Sequence, residues 1–152
     1  MTVAADAVAR LDTRSPRAAL PFTAAALAFV FLFAQPARLL VLDWWNDPEA
    51  GHGLLLAPLA IWLAWRSGRA RGAQPAPVLG SALLVGAVVL RYLSGLAAEL
   101  FTLRFSMVLA LAGLVTFWCG LRQLRQWWLP FALLTLSIPL PALVTNALAL
   151  PL

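Results

Sequence analysis

Residues 40–65 read LVLDWWNDPEAGHGLLLAPLAIWLAW. The first half crowds Trp44 and Trp45, the acids Asp43, Asp47 and Glu49, Pro48 and the chain's single histidine, His52, into one short segment. The second half, from Gly53 to Trp65, is almost pure hydrocarbon. A polar turn flanked by tryptophans that runs straight into an apolar stretch is what a chain re-entering a bilayer looks like, because indole rings favour the interface. That reading decides the fold.

Composition supports it. The 152 residues are 62% hydrophobic and 11% charged, with a mean hydropathy of +0.87. Soluble domains carry about 45–50% apolar and about 25% charged residues, so too little polar surface exists here to cover a globule. The net charge of +5 comes entirely from arginine, since lysine is absent. These arginines fall between apolar runs and form no basic, aromatic-interleaved face, which excludes nucleic-acid binding. Cys119 stands alone, which excludes an intrachain disulfide and any multi-cysteine metal site. No metal or cofactor signature is present, so neither a metal site nor a cofactor is expected.

Outward from the opening stretch, five apolar runs emerge: 21–42, 53–65, 78–96, 101–121 and one from near Trp127 to Ile138. Twenty-two helical residues span about 33 Å, enough for a hydrocarbon core of about 30 Å. Residues 1–19 read as a cytoplasmic tail and 20–152 as the transmembrane helical domain. The run FTAAALAFVFLFA (22–34) behind basic residues also resembles a signal peptide, but cleavage and an uncleaved anchor leave the same topology. Arginines 10, 14 and 17, then 66, 69 and 71, then 122 and 125, alternate with the acidic segments at 43–49 and at Glu99. This is a positive-inside pattern with the N-terminus in the cytoplasm. The expected fold is therefore all-α, a polytopic integral membrane bundle of about five transmembrane helices.

The second run is short, about 20 Å as a helix. Of the two ways to cross, a locally thinned bilayer and a DPEAGHG segment that dips below the outer headgroups, the dip is expected, with His52 in a recess on the outer side. Pro139 and Pro141 lack backbone donors, so the fifth helix should kink or end there.

The polar residues expected on the outer face are Arg38, Asp43, Asp47, Glu49, His52, Arg91, Glu99 and Arg104. Asp47 and Glu49 are close enough in sequence to orient His52, and Glu99 is the natural partner of Arg91 and Arg104, since charges at such depth need one. The plainer readings are an interfacial loop histidine and arginines that snorkel to headgroups. Cys119 fails as a nucleophile. It lies at the cytoplasmic end of the fourth run, across the membrane from His52, with no base on its side. Ser137 has no base in reach. No complete catalytic set exists.

Several pieces, in order, resemble the N-terminal half of the exosortase/archaeosortase family: W-x-D-P-x-x-x-H-G (Trp45 to Gly53) leading to WLAWRSGR, then LAGLVTFWCGLRQLRQ with its short basic loop, then WWLPFALLTLSIPLPALVTNALALPL. The resemblance implies a membrane cysteine transpeptidase of the bacterial inner membrane. Such an enzyme acts on exported proteins that bear C-terminal Pro-Glu-Pro-type sorting signals. It implies a cysteine, an arginine and a histidine on later segments, and nothing here matches them. His52 matches the early His-Gly motif, which is not catalytic, and Cys119 matches no catalytic position. The chain then reads as the family's N-terminal part, truncated before the catalytic region and inactive alone. On that reading Asp47, His52, Gly53, Arg91, Glu99 and Arg104 are substrate-pocket candidates. The alternative is a small non-enzymatic membrane scaffold or a transporter fragment, since a helix broken at IPLP suits transporters; an independent five-helix protein is the third.

The topology is directly testable. A Glu49→Cys chain should react with a membrane-impermeant thiol reagent from the outer face; labelling from the cytoplasmic side alone would reverse the orientation.

Overall fold

The computed structural model describes residues 16–48, 50–97 and 99–139, with side chains from 23 onward. The candidate pocket neighbour Glu49, most of the N-terminal tail 1–19 and the whole segment after Pro139 lie outside the described residues. Among the described residues all regular structure is helical: α1 (Pro16–Asn46), α2 (Gly53–Ser67), α3 (Pro77–Leu96), α4 (Leu100–Cys119), α5 (Leu121–Gln126) and α6 (Trp128–Leu136). Contacts divide the chain into 1–35 and 36–152. In the first unit, Phe29 and Phe33 on α1 pack with ring centroids 5.0 Å apart.

Three stretches, Thr23–Asn46, Pro77–Leu96 and Leu100–Cys119, are long and apolar enough to cross a membrane. The protein is an all-α integral membrane bundle. The second and fifth runs are shorter. α2 has 15 residues, or about 22 Å. α5 and α6 form one interrupted helical run of about 24 Å, bridged across Trp127 by Trp127 N–H to Gln123 O at 2.9 Å and Phe131 N–H to Trp127 O at 3.1 Å. Pro130 explains the interruption. It has no N–H for the Gln126 carbonyl one turn back, so the ladder breaks there. The LRQLRQ segment, expected as a loop, is therefore helical as α5.

α3 and α4 form the most extensive helix pair, and α2 with α6 the next. Lipid offers no hydrophobic drive between helices, so small residues that let backbones approach are what join them. On α3, Gly80, Ala87 and Ser94 recur every seven residues and are all buried. On α4, Ser106, Ala110 and Gly113 are buried at spacings of four and three. A Cβ at Gly80 would lie 2.5 Å from the Phe117 Cα, and one at Gly113 would lie 2.9 Å from the Leu84 Cγ. The buried hydroxyls are neutralised within their own helices. Ser94 Oγ donates to Leu90 O (2.6 Å), Ser106 Oγ to Leu103 O (2.6 Å) and Thr116 Oγ1 to Ala112 O (2.7 Å).

Within 36–152 the bundle has two polar ends. At one, the C-terminal end of α1, the start of α2, the start of α4 and the end of α6 meet; we call it the histidine end. At the other, the 68–76 loop meets α5 and the end of α4; we call it the arginine end. α2, α3, α4 and the α5–α6 run each connect the two.

Gly80→Ala should lower stability by about 1–3 kcal/mol, because backbone and not a flexible side chain stands in the way. Gly86, where an added Cβ meets nothing within 4 Å, is the control: Gly86→Ala should be neutral or stabilising by up to about 1 kcal/mol. Thermal unfolding of both variants in one detergent checks this; equal losses would refute the close-packed seam.

Candidate functional site

The histidine end is built on the last turns of α6. A helix leaves its final carbonyls without intrahelical donors, and inside a membrane no water replaces them. Here each finds one. Ser137 N–H donates to Leu133 O at 2.9 Å and Ile138 N–H to Thr135 O at 3.2 Å. Ser137 Oγ donates to Leu134 O at 2.7 Å. The next two carbonyls are reached from 84 and 93 positions away: His52 Nε2 lies 3.1 Å from Leu136 O, and Trp44 Nε1 donates to Ser137 O at 2.7 Å. Continuing the helix would offer Ser137 O only Pro141, which has no N–H. A carbonyl only accepts, so Nε2 of His52 carries the proton that makes its bond.

Gly53 makes the indole bond possible. A Cβ there would lie 2.1 Å from Trp44 Nε1, so the ring lies directly over the glycine backbone. The turn that brings His52 into place is tied by Asp47 N–H to Asp43 O (2.9 Å), Ala50 N–H to Asp47 O (3.1 Å) and Gly53 N–H to Ala50 O (3.0 Å). Trp44, and not the Trp45 of the quoted motif, does the bracing; Trp45 is exposed.

The second element is an ion pair. Arg104, only 5% exposed, reaches across from the second turn of α4 and donates through Nη2 to Asp43 Oδ2 on α1. Asp43 keeps 42% of its side chain exposed. The expected partner, Glu99, does something else. Its carboxylate caps α4, Oε1 accepting from Phe101 N–H at 3.0 Å and Oε2 from Thr102 N–H at 2.6 Å. A carboxylate at a helix start satisfies orphan donors and faces the positive end of the dipole, which explains the preference. Arg104 thus stays inside the bundle as an interior charge and does not snorkel. Arg91 is half-buried on α3 and Asp47 exposed in the turn, and neither lacks a partner.

Of the six candidate residues, His52, Gly53 and Arg104 belong to one connected assembly with Asp43, Trp44, Leu136 and Ser137. Glu99 sits at the same end as a cap. Sequence reading missed Trp44 as the reaching donor and Asp43 as the arginine's partner. The signal for Trp44 was the glycine in His-Gly, a position without a side chain beside an interfacial indole. Chemically the assembly offers a guanidinium–carboxylate pair and an imidazole held through Nε2. It offers no thiol, because Cys119 ends α4 at the arginine end. The Ser137 hydroxyl is committed to Leu134 O. Among the described residues no group of three or more histidine, cysteine or acidic side chains is placed to hold a metal.

Asp43→Ala leaves a buried guanidinium uncompensated and should cost about 3 kcal/mol. Arg104→Leu should cost less, since the stranded carboxylate is still partly exposed, and the double variant should fall well short of the sum. Glu99→Gln, by contrast, should cost only about 1 kcal/mol, as lost helix caps do. Denaturant titration of the four variants reads the cycle; additive effects of the Asp43 and Arg104 changes would refute the pair.

No curated protein and no solved structure matches this chain. The family model for transmembrane exosortases matches residues 44–152, beginning at the tryptophan that holds the end of α6 and covering more than two-thirds of the sequence. With a helical membrane bundle whose His-Gly turn and proline-terminated helix are locked together within the matched region, this chain belongs to the transmembrane exosortase family.

Proposed function

We propose that this chain forms the braced outer end of an exosortase-type protein-processing enzyme, the face on which the C-terminal sorting signal of an exported protein docks. We further propose that residues 1–152 do not cleave such a signal by themselves. The observation that carries the second part is the separation of the reactive groups. His52 and Arg104 stand at the histidine end, and the single cysteine stands at the other. Transpeptidation by the family's chemistry needs a thiolate, a base that takes its proton and donors for the oxyanion, all within one site. Membrane depth of about 30 Å cannot be bridged by a proton transfer between His52 and Cys119.

Asp47, His52, Gly53, Arg91, Glu99 and Arg104 are the proposed pocket residues. Of these, Asp47 and His52 are exposed on this end, where a docked signal would make contact. The positive-inside pattern supports placing this end outside, where exported proteins emerge.

The test is a reporter with a Pro-Glu-Pro-type C-terminal signal, co-expressed with residues 1–152 in bacterial membranes. No cleavage is expected, and a His52→Cys chain should form a disulfide with a cysteine placed beside the reporter's signal. Cleavage that Cys119→Ala abolishes would overturn the inactivity; absence of the cross-link, with the chain present in the membrane, would overturn the docking role.

A further inference from the structure

The opposite end is built with as much care, around a neutral side chain. Gln123, 1% exposed, uses both ends of its amide: Oε1 accepts from Ala70 N–H at 2.8 Å and Nε2 donates to Gly68 O at 3.0 Å. Trp127 Nε1 donates to the same carbonyl at 3.2 Å, and Gln126 Nε2 to Ser67 O at 2.6 Å. Gly120, at φ +85°, is so close to the loop that a Cβ would lie 1.8 Å from Gln74 O. The 68–76 loop is therefore fastened to α5.

That fastening gathers positive charge. Arg69 and Arg71 flank the pinned Ala70, and Arg122, one residue from Gln123, reaches Gly72 O with Nη1 at 3.4 Å. Arg66 stacks over Trp62 at 5.2 Å, and Arg125 follows on α5. All five are exposed. The described acids, Asp43, Asp47 and Glu99, belong to the histidine end, and the sequence has no acid between Glu49 and Glu99 or after Glu99. Among the described residues no carboxylate is paired with these arginines, and an anion bound among like charges on neighbouring segments lowers their mutual repulsion.

We propose that the arginine end is a binding site for the headgroup of an anionic phospholipid, its phosphodiester held between the Arg69–Arg71 loop and Arg122. Guanidinium forks match phosphate oxygens in bidentate geometry, which an all-arginine, lysine-free cluster exploits. The ligand is a lipid and not free phosphate, because Trp62, Trp65 and Trp128 are 45%, 82% and 65% exposed at the same end. Exposed indoles at the rim of a membrane bundle sit at headgroup level, so an anion bound beside them is in the plane of the bilayer. The proposal does not depend on the exosortase reading.

Native mass spectrometry of the purified chain in neutral detergent, titrated with dioleoylphosphatidylglycerol or dioleoylphosphatidylcholine, tests it. The phosphatidylglycerol adduct should persist where the phosphatidylcholine adduct does not. Changing Arg69, Arg71 and Arg122 together to glutamine should weaken it by about fivefold per arginine. The matching lysine triple, which keeps the charge but loses the fork, should fall between. Changing Arg10, Arg14 and Arg17 to glutamine should leave it intact. Equal retention by the 69/71/122 glutamine triple, or equal loss in the two glutamine triples, would overturn the site. Displacement of the lipid by inorganic phosphate at similar concentration would make it a free-phosphate site and overturn the lipid assignment.

Discussion

A carbonyl at the end of a membrane helix must find a donor, and the histidine end is organised by that requirement. The chain beyond α6 carries prolines at 139 and 141, which supply none. Two donors are instead brought from the other side of the sequence, the indole of Trp44 and the imidazole of His52. Those two bonds tie the end of α6 to the turn between α1 and α2, and the α2–α6 pair follows from them. Gly53 is part of the same solution, because any side chain there would occupy the position of the indole.

The Asp43–Arg104 pair adds α4 to that junction. Placed one residue before Trp44, Asp43 joins the ion pair to the helix-end bonds, so α1, α2, α4 and α6 converge within a few residues of sequence. A pair of this kind, buried on the arginine side and 42% exposed on the carboxylate side, adds little net stability over apolar packing, yet removing the carboxylate strands a buried charge. Its value is in register. One rotation of α4 about its axis serves both contacts, Arg104 on Asp43 of α1 and Gly113 against Leu84 of α3.

Much of this was legible in the residues. Run lengths of apolar side chains marked the long helices to within a few positions, because hydrocarbon thickness sets them and local sequence reports them directly. Pro139 marked the end of α6 for the same local reason, since a missing donor needs no tertiary context. The partners were not legible. Asp43 and Arg104 are 61 positions apart, and Glu99 was nearer in sequence and on the same side. What decided the matter was Glu99's position immediately before α4, where its carboxylate is drawn to the first free N–H groups. LRQLRQ looked like a loop because arginine and glutamine are polar, but both are good helix formers, and packing settled the outcome. Gln123 was invisible as a core residue, since glutamine is mostly exposed and only the geometry of the facing loop gives both its amide groups partners.

The two ends then answer different demands. At the arginine end the protein concentrates charge of one sign on an exposed surface, a feature whose natural counterpart is external. At the histidine end charge is matched internally, and the imidazole is held by a bond to a carbonyl. That bond sets the imidazole's role here. Because Leu136 O can only accept, Nε2 of His52 must donate, so the imidazole caps α6 as the Trp44 indole caps it at Ser137 O, and the matched ion pair beside them holds α4 to the same junction.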